Sequence, residues 1–323
     1  MPTLAPNRAS RQFLPISALT LSCCTELGVD VFLKVDVNAT PQLFCSRRLH
    51  VKPQQLQHLL VEGVTKLYIR SDSYESYLAH LCSNWKLLLH GDHLAEANRT
   101  ALLYDIVRSV LSEQFSHNDS SSIVDTCFEL SHSIIHILQE RPVRVSGLYD
   151  LMCHDYSIVT HSSNGAIYVA KLATELGFSG DELQQILVGA LLHDIGNLEI
   201  SHRILTKSSR LDEFEFREVQ KHPSLGLRRL VNEQQRLSYG QLMMVYQHHE
   251  KLNGMGYPVG ITGEEIHPWA KICAVIDVFE ALTSQRPYRK PLTHGTALAM
   301  LEKISRTELD GEIVKCWQTL VSI

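Results

Sequence analysis

One period dominates the second half of this chain. From about residue 146 onward apolar residues recur at helical spacing in "GAIYVAKLATELGF", "DELQQILVGALLHDIG", "DEFEFREVQKH", "YGQLMMVYQHH", "AKICAVIDVFEALT" and "HGTALAMLEKISR". Gly177, Gly196 and the segment "NGMGYPVGITGEEIHP" supply the main interruptions. So long a run at one period predicts a mainly α domain over 146–323.

The beginning of the chain reads differently. "FLPI", "VDVFLKVDV" and "KLYIRS" are strand-like, and "KPQQLQHLLVEGV" is a helix stopped at Gly63, which predicts a small α+β domain over 1–90. "DSYESYLAHLCSNWKLLLH" and "EANRTALLYDIVRSVLSEQF" carry helical spacing; "SHNDSSS" breaks it and "IVDTCFELSHSIIHILQE" resumes it, placing a helical linker over 91–145. The expected fold class is mainly α: an all-helical C-terminal domain behind a small α+β module.

At 323 residues the chain is long enough for two domains. Its net charge of -5 excludes the basic footprint of a duplex nucleic-acid binder, so a nucleotide ligand must be met by a local basic cluster such as "SQRPYRK" at 284–290. Eight scattered cysteines without a C-x-x-C pair read as reduced core residues. "MPTLAPNRASRQFLP" lacks the apolar stretch of a signal peptide, and no run approaches the roughly 18 apolar residues of a membrane span. A cytoplasmic location away from any membrane is expected.

Histidine is the unusual residue, with 17 in the chain, about twice the number that average composition gives. Metal sites of nitrogen and oxygen ligands need neutral imidazoles and ionised carboxylates on helices or short turns. The second domain offers His161, the His193-Asp194 pair, His222, the His248-His249 pair, Asp277 and Glu280. Taken singly, each histidine reads more readily as a hydrogen-bonded core residue than as a ligand. Asp277 stands in the strongly apolar "KICAVIDVFEAL", where a buried carboxylate must be paired, hydrogen-bonded or metal-bound, and Glu280 follows at i+3 on the same face.

Together these motifs resemble one family closely. "HDYSIVTHS" (154–162), "LLHDIGN" (191–197), "KHPSLG" (221–226), the stretch from "HHEKLNGMGYP" to "SQRPYRK" (248–290) and "ELDGEIV" (308–314) stand in the order found in HD-GYP proteins. These form the cyclic-di-GMP phosphodiesterase branch of the HD metal-dependent phosphohydrolases. The resemblance implies two divalent transition-metal ions, iron or manganese with nickel or zinc as alternatives. It places His161, His193, Asp194 and Asp277 around one ion and His222, His248 and His249 around the other, with Asp194 bridging. It implies hydrolysis of cyclic-di-GMP to pGpG and onward to GMP by a metal-activated hydroxide. Arg286 is then the contact to phosphate or guanine and Asn197 a substrate-side residue, with Tyr288, Arg289 and Lys290 at the pocket rim, although Arg289 and Lys290 read more readily as an ordinary solvated turn. The loop of Gly254, Gly256, Tyr257 and Pro258 is linked in the family to docking of GGDEF domains. The α+β module becomes a sensory or dimerising attachment, hence an expected homodimer.

Four positions depart from the family pattern. Asn197 stands where a lysine is usual, an uncharged amide in place of a phosphate contact. Ser157 occupies the place of the glutamate that brings a third metal, so two ions are expected. Glu280 replaces an aspartate, as a ligand or as an acceptor behind one. Asn253 replaces the aspartate of the Asp-Gly-x-Gly-Tyr-Pro loop and is expected to alter a loop hydrogen bond. Asn197 also supports a second reading, a catalytically weak cyclic-dinucleotide receptor with its metal cage intact. A third is a phosphodiesterase for another cyclic dinucleotide.

Overall fold

The computed structural model describes residues 12–21, 27–34, 40–49, 51–90, 96–140, 145, 148, 157–285 and 289–322. They belong to two compact units divided between Ser116 and His117. The segment read as a linker is thereby shared out between the two.

The first unit holds a four-stranded antiparallel sheet in the order β1-β4-β2-β3, with β1 Phe13–Ser17, β2 Val31–Leu33, β3 Gln42–Cys45 and β4 Lys66–Arg70. Alternation explains its buried face. Leu14 and Ile16 of β1 pair across the ladder with Ile69 and Leu67 of β4, and all four are buried. β3 was not foreseen; its four residues are half to fully exposed and carry no apolar alternation. Helix α1 (Pro53–Val61) starts on a proline at its first position, and Gly63 follows its end at φ 75°. α2 (Tyr74–His90) and α3 (Glu96–His117) bury Leu78, Leu81, Trp85 and Leu88, and Leu103, Ile106, Val107 and Val110, at helical spacing.

The second unit is helical: α4 (Ser120–Glu140), α5 (Ile158–Glu175), α6 (Gly180–Leu192), α7 (His202–Leu205), α8 (Glu213–Val219), α9 (His222–Leu230), α10 (Tyr239–Gln247), α11 (Pro268–Thr283), α12 (His294–Ile304) and α13 (Gly311–Ser322). α6 is its hub and packs against α4, α5 and α10. The reason lies in its sequence, because every residue from Ile186 to Leu192 is buried and the helix has no polar face there. Tyr168 of α5, Phe279 of α11 and Trp317 of α13 meet edge to face at 5.1–5.8 Å, which fixes α11 against α5.

Of the described cysteines all are free thiols, but only Cys127 and Cys273 are buried; Cys45, Cys82 and Cys316 are half-buried at the periphery. Cys23, Cys24 and Cys153 lie outside the described residues. Among the described residues no helix is long and apolar enough to cross a membrane.

Candidate metal centre

Five pieces of chain deliver the site. His161 lies in the first turn of α5, which starts earlier than the apolar period indicates because Ser157 caps it, accepting the Thr160 N–H at 3.0 Å. His193 and Asp194 close α6, where the chain tightens into the 3-10 turn Ile195–Glu199. Gly196 is required in that turn, since a side chain there would strike the His222 carbonyl. His222 opens α9 with Pro223 beside it, His248 and His249 follow the end of α10, and Asp277 and Glu280 occupy one face of α11.

The side chains converge as two groups, each with donor atoms within 4.8 Å of one another: His161, His193 and Asp277, and Asp194, His222, His248 and His249. Two carboxylates span the groups. Asp194 turns Oδ2 toward His161 Nε2 (3.6 Å) and His193 Nε2 (3.8 Å), and Oδ1 toward His222 Nε2 (3.2 Å) and His248 Nε2 (3.9 Å). Asp277 places Oδ1 2.9 Å from His161 Nε2 and Oδ2 3.5 Å from His249 Nδ1. Asp277 thus faces both histidine groups as Asp194 does.

The imidazoles are turned from behind. Nδ1 of His193, His222 and His248 faces the carbonyls of Ala190 (2.7 Å), Val219 (2.7 Å) and Val245 (3.0 Å), so each Nδ1 donates and each Nε2 is left as an inward lone pair. His222 Nε2 and His248 Nε2 then meet at 3.1 Å, two acceptors face to face. Such a contact repels unless a proton or a metal cation lies between, and the donor set of imidazole and carboxylate suits a divalent transition metal.

The local charges agree. Burial opposes ionisation of Asp194, but His193, His222 and His161 hold its carboxyl well below the usual range. Asp277 is likewise lowered against burial, by His249 and by the hydrogen bond from His161. Burial, with His249, His193 and His222 nearby, pushes His248 far down, and burial brings His249 to about 4. Both are neutral at pH 7. His161 is the exception: burial is outweighed by Glu280, Asp277 and Asp194, which hold it well above the ordinary imidazole range. At its Nε2 a proton and a cation compete.

Two residues beyond the sequence-derived set shape the site. Glu250 is 3% exposed, and its carboxylate accepts the N–H groups of Val259 (2.7 Å) and Gly260 (3.0 Å). It closes the Gly-Tyr-Pro loop instead of facing the histidines. Asn164 donates to Glu280 at 2.9 Å, and Glu280 faces His161 Nδ1, on the side of that ring away from Asp277. Within the loop Gly254 has φ 72°, Gly256 leaves no room for a side chain against His249, Glu250 and Lys251, and the Tyr257-Pro258 bond is cis. Asn253 Oδ1 accepts the Met255 N–H at 3.0 Å. Tyr257 stacks on His249 with centroids 4.6 Å apart, and Lys251 pairs with Glu308 of the "ELDGEIV" motif at 2.6 Å.

The remaining sequence-derived residues part company. Asn197 is buried in the 3-10 turn, its N–H bonded to the Asp194 carbonyl at 3.0 Å. The Arg289 guanidinium, read as a pocket contact, donates to the carbonyls of Ala281 (2.6 Å) and Leu282 (2.9 Å) at the end of α11, the ordinary work of a cation at a helix C-terminus. Lys290 is exposed. Arg286 and Tyr288 lie outside the described residues.

A family model described as HD domain matches residues 134–313, more than half of the chain. The chain belongs to the HD-domain family. It is 39% identical over 154 residues to the 3'3'-cGAMP-specific phosphodiesterase 3 of Vibrio cholerae, which covers 47% of this chain and 33% of that protein. It is 40% identical over 130 residues to the cyclic di-GMP phosphodiesterase response regulator RpfG of Xanthomonas campestris, covering 40% of this chain and 34% of the relative. A cyclic di-GMP phosphodiesterase of Pseudomonas aeruginosa is 30% identical over 197 residues, 60% of this chain and 47% of the relative. The HD-domain chain thus spans a third to about half of the length of these relatives. Bd1817, an HDG"Y"P protein from Bdellovibrio bacteriovorus, shares the fold with a TM-score of 0.69 over 96% of this chain and 100% of that one, at 17% identity. The resemblance to HD-GYP proteins drawn from the motifs is borne out, and with it the mainly α fold class. An HD domain implies divalent metal ions, and the histidine and aspartate cluster is capable of holding them.

Proposed function

We propose that this HD-domain protein is a phosphodiesterase that hydrolyses cyclic di-GMP to pGpG and onward to GMP. The observation that carries the reading is the pair of carboxylates, Asp194 and Asp277, each offering one oxygen to each histidine group. Names among its relatives support the substrate class.

The residues divide the work. His161, His193 and Asp277 would hold one ion and His222, His248 and His249 the second, with the Asp194 carboxylate facing both groups. Iron or manganese fits best, with nickel and zinc also compatible with this donor set. When bound, two such cations lower the pKa of a shared water and neutralise phosphoryl oxygens. Ser157 is committed to capping α5, donating to Thr160 Oγ1 at 2.8 Å, which supports two ions over three. Neutral His248 and His249 keep their lone pairs, while ionised Asp194 and Asp277 supply the negative charge. His249 and Asp277, the least buried of the set, form the side from which substrate enters. Arg286 and Tyr288 are proposed as contacts to phosphate and guanine. The loop from Gly254 to Pro258, with Met255 and Val259 exposed, is the proposed docking face for a GGDEF domain, and the α+β module is the proposed dimerising element.

Asn197 favours a second reading, a receptor that binds cyclic dinucleotide and turns it over slowly. Its amide carries no charge, and its buried Oδ1 makes no hydrogen bond within the described residues. The test joins metal analysis to turnover on cyclic di-GMP and on 3'3'-cGAMP. Two equivalents of metal with cyclic di-GMP preferred are expected; a preference for 3'3'-cGAMP overturns the choice of substrate. Asn197→Lys is expected to raise turnover by as much as about 10²-fold, the scale of one electrostatic contact in such sites. Two bound metals with no hydrolysis in either form would establish the receptor.

A further inference from the structure

We propose that Glu280 is a positioning residue for His161 that makes the two cation positions unequal, the His161, His193 and Asp277 position holding its ion the more tightly. The inference rests on the two-cation reading above.

Three of the buried imidazoles, His193, His222 and His248, are turned by neutral carbonyls on their own stretch of chain. His161 alone is turned by a carboxylate reaching from another helix, its Nδ1 2.5 Å from Glu280 Oε2. That carboxylate is itself built in. It is 1% exposed, and its Oε1 accepts Asn164 Nδ2 at 2.9 Å and Ser284 Oγ at 2.5 Å. Three donors on a side chain out of contact with water fix both its charge and its direction.

Charge accounting separates the positions. Asp194 and Asp277 face both groups, so their negative charge is common to the two. Glu280 is the one further carboxylate bonded to a ligand among the described residues, and it stands behind His161 only. A ring whose N–H donates to a carboxylate is a stronger donor at its other nitrogen than one whose N–H meets an amide carbonyl. The second position has one more imidazole, His249, but an imidazole ligates as an uncharged donor, and this one is 24% exposed and stacked under Tyr257. In a water-excluded site an extra anion outweighs an extra neutral donor. One ion is then resident, and the second exchanges with the surrounding metal supply. The usual aspartate, one methylene shorter, would need a different approach of α11 to reach the same nitrogen.

Metal-free protein at pH 8 is dialysed against increasing Mn(II), and bound metal per chain is counted. The wild type is expected to fill in two steps separated by tenfold or more. In Glu280→Gln the tight step weakens by about 10- to 100-fold, the usual cost of losing such a partner, while the weak step stays in place. Ser284→Ala removes a buried hydrogen bond from the same cluster but keeps the charge, and both steps are expected to remain apart. A wild type that fills both positions in one step overturns the proposal without recourse to any variant. So does a Glu280→Gln protein, folded by circular dichroism, in which both steps weaken alike or neither moves. A wild type that takes up no Mn(II) overturns the two-cation reading itself, an outcome distinct from two ions held equally.

Discussion

In the first unit the buried phenol of Tyr77 meets the Thr20 hydroxyl at 2.8 Å, and that hydroxyl also faces the Ser17 carbonyl at 2.7 Å. In the second unit the buried imidazoles of His222 and His248 present lone pairs to each other at 3.1 Å. Both pairs bury polar atoms, but the first matches donor to acceptor and is complete within the protein. The second assembles acceptors around a shared point and spends its donors on the outer side. Complementary burial stabilises a fold, whereas convergent burial of like groups costs stability unless something outside the chain completes it.

The largest expected effect is at the point of convergence. Asp194→Ala removes the carboxylate that faces four imidazoles and is expected to lower turnover by at least about 10²–10³-fold, the scale of one lost electrostatic contact, and to leave less than two metal equivalents bound. Full metal content in that variant, measured by elemental analysis, would place the ions elsewhere. Next in size is the pH response of metal-free protein. His248 and His249 are held neutral in the fold, His249 down to about 4, so between pH 6.5 and about 4 the unfolded chain binds more protons. The destabilisation from these two groups is therefore absent above 6.5 and grows as pH drops through this window, by up to roughly 3 kcal/mol for a shift of this size. His161, shifted the other way, loses its contribution only as pH rises above the ordinary imidazole range. Denaturant titrations across this range measure the slope, and a flat profile would contradict the convergent reading. The smallest effect belongs to the first unit. Tyr77→Phe removes one matched hydrogen bond, with an expected cost of about 1 kcal/mol in the unfolding of that unit and no change in bound metal.

How far the sequence reveals each unit follows from the same contrast. The helices around α6 are legible because their apolar period is set by burial that the whole unit shares. Strand β3 is not, since an exposed edge of four residues leaves no period to read. The start of α5 is hidden for another reason: "HSSNG" is poor in helix formers, yet Ser162, Ser163, Asn164 and Gly165 are buried against neighbouring elements. Tertiary packing overrides propensity there. The residue types that converge are legible from chemistry and motif order, but which partner each takes is not. Nothing in "HHE" separates Glu250 from its two neighbours, and only the fold turns its carboxylate toward Val259 and Gly260. Arg289 is similar, since a cation near a helix end in the chain is also a cation near a helix end in space.

Glu250 has one more consequence. It directly follows His249, so the pair that joins the histidine cluster and the carboxylate that pins the loop are consecutive residues, and a shift of one is passed to the other. The backbone amides of Val259 and Gly260 are thereby a reporter of the centre's state. Their hydrogen exchange is expected to slow when metal is supplied, and a rate blind to metal would show that the loop and the cluster move apart.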